Sequence, residues 1–240
     1  MNIRKLVAPV LAWLLLLASG CAAAPDAQSF PPEPPTSASE ALPEKSEAVS
    51  GEAEALEAAD ISALKLAEAA NDALRLSYPD DAWIADQGSS PLVLYYLPTY
   101  GTEKAVNVNA QRLFECAALG KEELKTLSGG FESTGNYLRV QRAELRRLDG
   151  ENVIYMEAVM QITDEVIDYM LSAGGWTQEW IDQNGGRDAL CAIPPTEQLY
   201  LYTAKDGWLY LFVGTYYDDS QKSALLDAIT VLAQTVRAVE

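Results

Sequence analysis

Two long stretches of this chain are rich in hydrophobic residues, and each is broken near its middle by an Asp-Gly pair. Leu138 to Leu148 and Val153 to Ile162 flank Asp149-Gly150, while Gln198 to Thr203 and Gly207 to Tyr216 are joined by Ala204-Lys205-Asp206-Gly207. Such a turn pair tolerates the positive φ of a tight turn, so both stretches predict antiparallel hairpins. In the second strand of the first hairpin Ile154, Met156, Ala158, Met160 and Ile162 fall on one face, which belongs to the core. Both strands of the second hairpin are dense in Tyr, Trp, Leu, Phe and Val, a composition that fits a sheet covered on both faces.

The remaining periodicities add shorter elements. Leu74 to Tyr78 alternates before the break at Pro79-Asp80-Asp81, and Pro91 to Leu97 and Ala105 to Val108 read as two more strands. A short helix fits Lys121 to Leu127, with Leu124 and Leu127 on one face. Between the hairpins Thr163 is an N-cap for a helix over Asp164 to Ser172, which Gly174-Gly175 stops. Thr177 then caps a second short helix carrying Trp180 and Ile181, up to a turn at Asn184-Gly185-Gly186. The chain closes on its best helix, capped by Asp219 or Ser220, where Leu225, Leu226, Ile229, Leu232, Ala233, Val236 and Val239 form a broad stripe. Ahead of all these, Leu56, Ala59, Ala63, Leu66 and Ala70 recur at helical spacing, which predicts a narrow, alanine-rich amphipathic helix over 53–73.

The N-terminus is patterned as an address rather than as fold. Arg4 and Lys5 precede an apolar run from Leu6 to Leu17, and small residues Ala18-Ser19-Gly20 follow. The run is shorter than the roughly 20 residues needed to span a bilayer, so residues 1–20 are read as a cleaved signal peptide. Ala-Ser-Gly-Cys resembles the lipobox of bacterial lipoproteins, which makes Cys21 the acylated residue; cleavage at Ala22 to Ala24 would instead release a secreted protein. Acylation on Cys21 by two or three chains gives stable anchoring where one chain is marginal. Residues 21–52 are dominated by Pro, Ser, Ala and Glu, including Pro31-Pro32-Glu33-Pro34-Pro35, and are expected to be a disordered spacer. The globular part is then 74–240, with a helical insertion at 163–195 between the hairpins.

Charge and missing residue types narrow the chemistry. The formal charge is -18, from 17 basic and 35 acidic residues, and such a surface repels phosphate backbones and anionic headgroups. Nucleic acid is excluded as a partner, and the expected membrane contact is the lipid alone. The sequence contains 0 histidines, which removes Ser-His-Asp and Cys-His nucleophile systems and the commonest zinc ligand. Asp80-Asp81, Asp164-Glu165 and Asp218-Asp219 read as turn and helix-start charges rather than calcium ligands, because none shows the alternating loop of a calcium motif. No catalytic, cofactor or metal residue is therefore assigned. Cys116 and Cys191 are a candidate disulfide, since exported proteins can bridge such a pair, or else two small buried hydrophobes. Trp176 and Trp180, one helical turn apart in the insertion, are a candidate binding surface or core packing.

The order of elements, with Leu76-Ser77-Tyr78-Pro79 followed by Trp83, then Lys205-Asp206-Gly207-Trp208-Leu209-Tyr210-Leu211 and a closing helix over 220–239, resembles the PsbP-like fold. The resemblance covers about 74–240 and implies an α+β architecture, an antiparallel sheet covered by helices as an α/β/α sandwich. It also implies a protein that binds or assists rather than catalyses. The expectation is thus a lipid-anchored protein on the extracytoplasmic face of the cell membrane, serving as a non-catalytic binding or assembly module for an envelope protein. Small-ligand or glycan binding is the alternative, and a carboxylate-based wall hydrolase a more distant one.

Overall fold

The structure is a computed structural model that describes residues 55–102, 104–132 and 137–239. The leader, Cys21 and the 21–52 spacer lie outside the described residues.

Ten strands run β1 Leu66–Ala70, β2 Leu74–Pro79, β3 Trp83–Asp86, β4 Leu92–Tyr96, β5 Asn107–Glu115, β6 Leu138–Leu148, β7 Glu151–Met160, β8 Thr196–Lys205, β9 Trp208–Tyr216 and β10 Arg237–Ala238. Seven of them form one antiparallel sheet in the order β3-β4-β5-β9-β8-β7-β6, and β1-β2-β10 form a second, smaller one. The helices are α1 Lys121–Glu132, α2 Asp164–Ser172, α3 Gln178–Gln183, α4 Gly186–Cys191 and α5 Asp219–Thr235. Both predicted hairpins form, as β6–β7 and β8–β9. Their turns place Asp149 at φ 52° with Gly150 at 83°, and Asp206 at 54° with Gly207 at 81°, the paired left-handed residues of the hairpin turn.

Strand alternation then sorts side chains to two cores. On one face Leu92, Leu94, Val108, Leu199, Leu201 and Phe212 meet Leu225, Ile229 and Leu232 of α5, with Leu74 and Leu76 of the small sheet closing the same core. On the other, Ile154, Met156, Tyr200, Leu211 and Val213 meet Val166, Ile167 and Met170 of α2, Ile181 of α3 and Leu190 of α4. The architecture is the expected α+β sandwich of an antiparallel sheet between helical layers. Where α5 crosses β9 the strand carries Gly214, and a Cβ there would stand 2.5 Å from two Leu225 carbons.

Several boundaries differ from the sequence pattern. Over 55–70 there is no amphipathic helix but an extended chain, a single 3-10 turn at Ile61–Ala63 and then β1. The alanine stripe offers little area to bury as a helix, whereas pairing Leu66–Ala70 with Arg75–Pro79 satisfies both backbones and buries Ala69. Leu56 leaves that predicted stripe as well: it is buried in the α5 core, and its N–H donates to the Arg147 carbonyl over 2.8 Å. The turn expected at Asn184-Gly185-Gly186 runs straight into α4, because Gly185 takes a left-handed φ of 95° and lets a new helix start at once. The cap of α5 is Asp218, one residue earlier than expected, accepting from the Gln221 N–H over 2.9 Å. That helix ends at Thr235, and Arg237–Ala238 turn to pair with Arg75 and Leu74.

Candidate functional site

The residues singled out from sequence do not converge. Cys116 and Cys191 are free thiols, and the fold sets them at opposite ends of β8. The Cys116 N–H donates to the Gly207 carbonyl at the β8–β9 turn, whereas Cys191 ends α4 beside Asp164, which follows the far end of β7. Ten residues of strand, about 30 Å, lie between those ends, and a disulfide needs Cα atoms within about 7 Å. The candidate bridge is thus corrected to two separate thiols packed against the same core. Trp176 is 6 % exposed, stacked 4.8 Å from Trp180 and edge-on to Tyr137 at 6.1 Å. Its ring is core, and only the half-buried Trp180 keeps an outer face. The acidic pairs serve the fold: Asp80 holds Lys65 at 2.8 Å, Asp164 and Asp168 hold Arg187, and Asp218 caps α5. Among the described residues no three His, Cys, Asp or Glu groups gather as a metal site.

One carboxylate pair does share a face. Glu157 lies opposite Leu199 and Glu197 opposite Val159, which makes them diagonal neighbours on β7 and β8, about 7–8 Å apart. That spacing suits two-carboxylate hydrolysis, but the electrostatics do not. Glu157 accepts from Tyr155 Oη at 2.5 Å and Lys222 Nζ at 2.7 Å. Burial works against its charge, yet these bonds outweigh burial and hold the carboxyl below the ordinary range. A general acid needs the opposite shift. Tyr155 and Tyr216 are pushed upward, first by burial and then by the adjacent glutamates, so both phenols stay protonated. The group is a brace tying the first turn of α5 to β7.

A second polar group was not foreseen. On the α2–α4 side of the sheet the register sets Val140, Ala158, Gln198, Thr215, Asn107, Tyr95 and Ile84 in one row across seven strands. The row passes from hydrocarbon to amides and hydroxyls, then to a ring. No residue of β3 or β4 joins the second core, so this end of the face lies beyond the helical layer. The Asn109 amide donates to Asn107 Oδ1 at 3.0 Å, and Asn107 donates to the Ala105 carbonyl at 3.3 Å, which fixes the orientation of both side chains. Gln111 continues the same face of β5, and its Oε1 is buried with no partner. The Tyr95 and Tyr100 rings meet edge to face at 5.4 Å, and Tyr217 stands one residue past β9 beneath Lys104 at 5.9 Å. Tyr100 is 58 % exposed and Ile84 43 %. Burial, reinforced by Asp86 and Tyr100, raises the Tyr95 phenol, and burial raises Tyr217, so both stay neutral. This surface can stack rings and exchange hydrogen bonds with an uncharged partner. The signal in the sequence was Asn107-x-Asn109-x-Gln111, polar at every second position of a strand whose other face is Val108 and Ala110.

No family model matches the sequence, and no curated protein matches it. Among solved structures the chain is similar to cyanobacterial PsbP from Synechocystis sp. PCC 6803, at 16% identity over 76% of this chain and 98% of that one, with a TM-score of 0.38. It is also similar to LpqN, involved in cell envelope biogenesis of Mycobacterium tuberculosis, at 12% identity over 74% of this chain and 92% of that one, with a TM-score of 0.39. A protein from Bacteroides thetaiotaomicron VPI-5482 shows 14% identity over 70% of this chain and 45% of its own, with a TM-score of 0.35.

Proposed function

We propose that this protein is a cell-envelope lipoprotein, anchored through Cys21 on the extracytoplasmic face of the cell membrane, whose folded part is a non-catalytic binding or assembly module. The leader and the Ala-Ser-Gly-Cys tetrad support the anchor. One observation carries the binding reading. The polar surface left open beside the helical layer is built from amides and from tyrosine rings, with the Tyr95 and Tyr217 phenols held protonated, and with neither a nucleophile nor an acid–base pair. Of the two glutamates at a catalytic spacing, Glu157 is committed to the α5 brace instead. The anchor is tested by the mass of the N-terminal peptide from membrane-extracted protein: a diacylglyceryl group on Cys21 is expected, and an intact leader on cytosolic protein would overturn the assignment. The module is tested by crosslinking in intact envelopes. A partner retained by the wild type and lost on combined Ile84→Ala and Tyr100→Ala supports it, and a hydrolytic activity that survives those substitutions but not Glu157→Gln would replace it with an enzyme.

A further inference from the structure

We propose that the open face formed by Ile84, Tyr95, Tyr100, Asn107 and Tyr217 binds an uncharged glycan, a β-linked N-acetylglucosamine chain. The proposal rests on the binding reading above and names its ligand. Tyr95 and Tyr100 meet edge to face at 5.4 Å and 61°, and the Tyr100 ring, 58 % exposed, is left as a platform on which the apolar C–H face of a pyranose can stack. Tyrosine suits such a ligand because each ring carries a phenol at its edge for a sugar hydroxyl. Among the described residues neither Tyr95 nor Tyr100 spends that hydroxyl on a hydrogen bond within the fold.

The floor between the rings is polar and already oriented. The chain Asn109 to Asn107 to the Ala105 carbonyl fixes which edge of Asn107 faces out, and one proton of its amide remains for an acetamido oxygen. Gln111 lies further along the same face with its buried Oε1 unpaired. Asn109 and Thr215, each 6 % exposed, form a buried polar floor beside the exposed rings. Ile84 lies directly opposite Tyr95 and is 43 % exposed, an apolar contact for an acetyl methyl. Charge excludes the alternatives. The face carries Asp86 on one side and Lys104 on the other, which gives no net preference for an anionic or cationic sugar, and a chain of formal charge -18 disfavours polyanions altogether.

Chitohexaose is titrated into the detergent-solubilised full-length mature protein by isothermal calorimetry, with maltohexaose and polygalacturonate as the contrasting glycans. Binding is expected for chitohexaose only. Tyr100→Ala and Asn107→Ala are each expected to weaken it at least about tenfold, a loss of one stacked ring or one amide contact. Trp180→Ala, in α3 and packed against the second core, is expected to leave it unchanged. Tyr100 is exposed enough that its alanine variant keeps the fold, which circular dichroism checks. No heat with chitohexaose at millimolar concentration overturns the ligand class, as does binding that both variants leave intact. Loss of the glycan with retention of an envelope partner sensitive to Tyr100→Ala would leave the module standing and remove only the sugar.

Discussion

At Gly214 and Glu157 single side chains decide how α5 sits on the sheet. Gly214 is required for space: its missing Cβ would lie 2.5 Å from Cδ1 and Cδ2 of Leu225, so the helix rests directly on the backbone of β9. Gly214→Ala is expected to cost about 1–3 kcal/mol by overpacking. Urea denaturation checks it, and Leu225→Ala in the same chain should cost less there than in the wild type, because the two changes relieve one another. Glu157 acts through charge. Its carboxyl is ionised in the fold at pH values where the unfolded chain, near the ordinary 4.5, begins to take up protons. The brace to Lys222 is therefore fully present above that value and is lost as pH falls through the lower folded value. Glu157→Gln should lower the melting temperature at pH 7 by the equivalent of about 1 kcal/mol or less, since the pair is partly open to water. The two proteins should melt together in strong acid, and a difference that persists there would mean that packing, not charge, is what the substitution removed.

At the scale of elements, local chemistry made the hairpins and caps legible and left other elements hidden. Asp149-Gly150 and Asp206-Gly207 demand left-handed φ wherever the chain goes, and Thr163 and Thr177 accept from the Val166 and Trp180 N–H groups as their sequence context predicted. Thr163→Ala should cost about 1 kcal/mol by leaving that helix start uncapped, measured by denaturation, with Thr163→Ser nearly neutral. What failed to show locally is decided by distant partners. The alanine-rich 55–70 segment has helical spacing, but Leu56 is buried in the α5 core, and Gln234 of α5 accepts from the Ala59 N–H and donates to its carbonyl, both at 3.2 Å. Strand β3 is only four residues long, too short for alternation to declare itself. The amide row was hidden for the same reason. Its members come from different strands, and only the register brings Gln198, Thr215, Asn107 and Tyr95 side by side.

For the whole molecule, the order of the seven-stranded sheet constrains which parts of the chain can ever meet, and the cysteines test that order. Cys116 leaves β5 at the end of the sheet where β8 turns into β9, while Cys191 leaves the helical insertion at the end where β8 begins. Both are half-buried, and burial raises both thiols above their ordinary range, with the Ala118 backbone opposing it only in part at Cys116. Native protein exposed to iodoacetamide near neutral pH should accordingly react slowly at both sites. Urea-unfolded protein, never treated with a reductant, should take up one adduct at Cys116 and one at Cys191, resolved by peptide mass. Unfolded chains that gain neither adduct until a reductant is added would carry a bridge across the length of β8, and no arrangement that keeps β5 beside β9 and β8 beside β7 permits that.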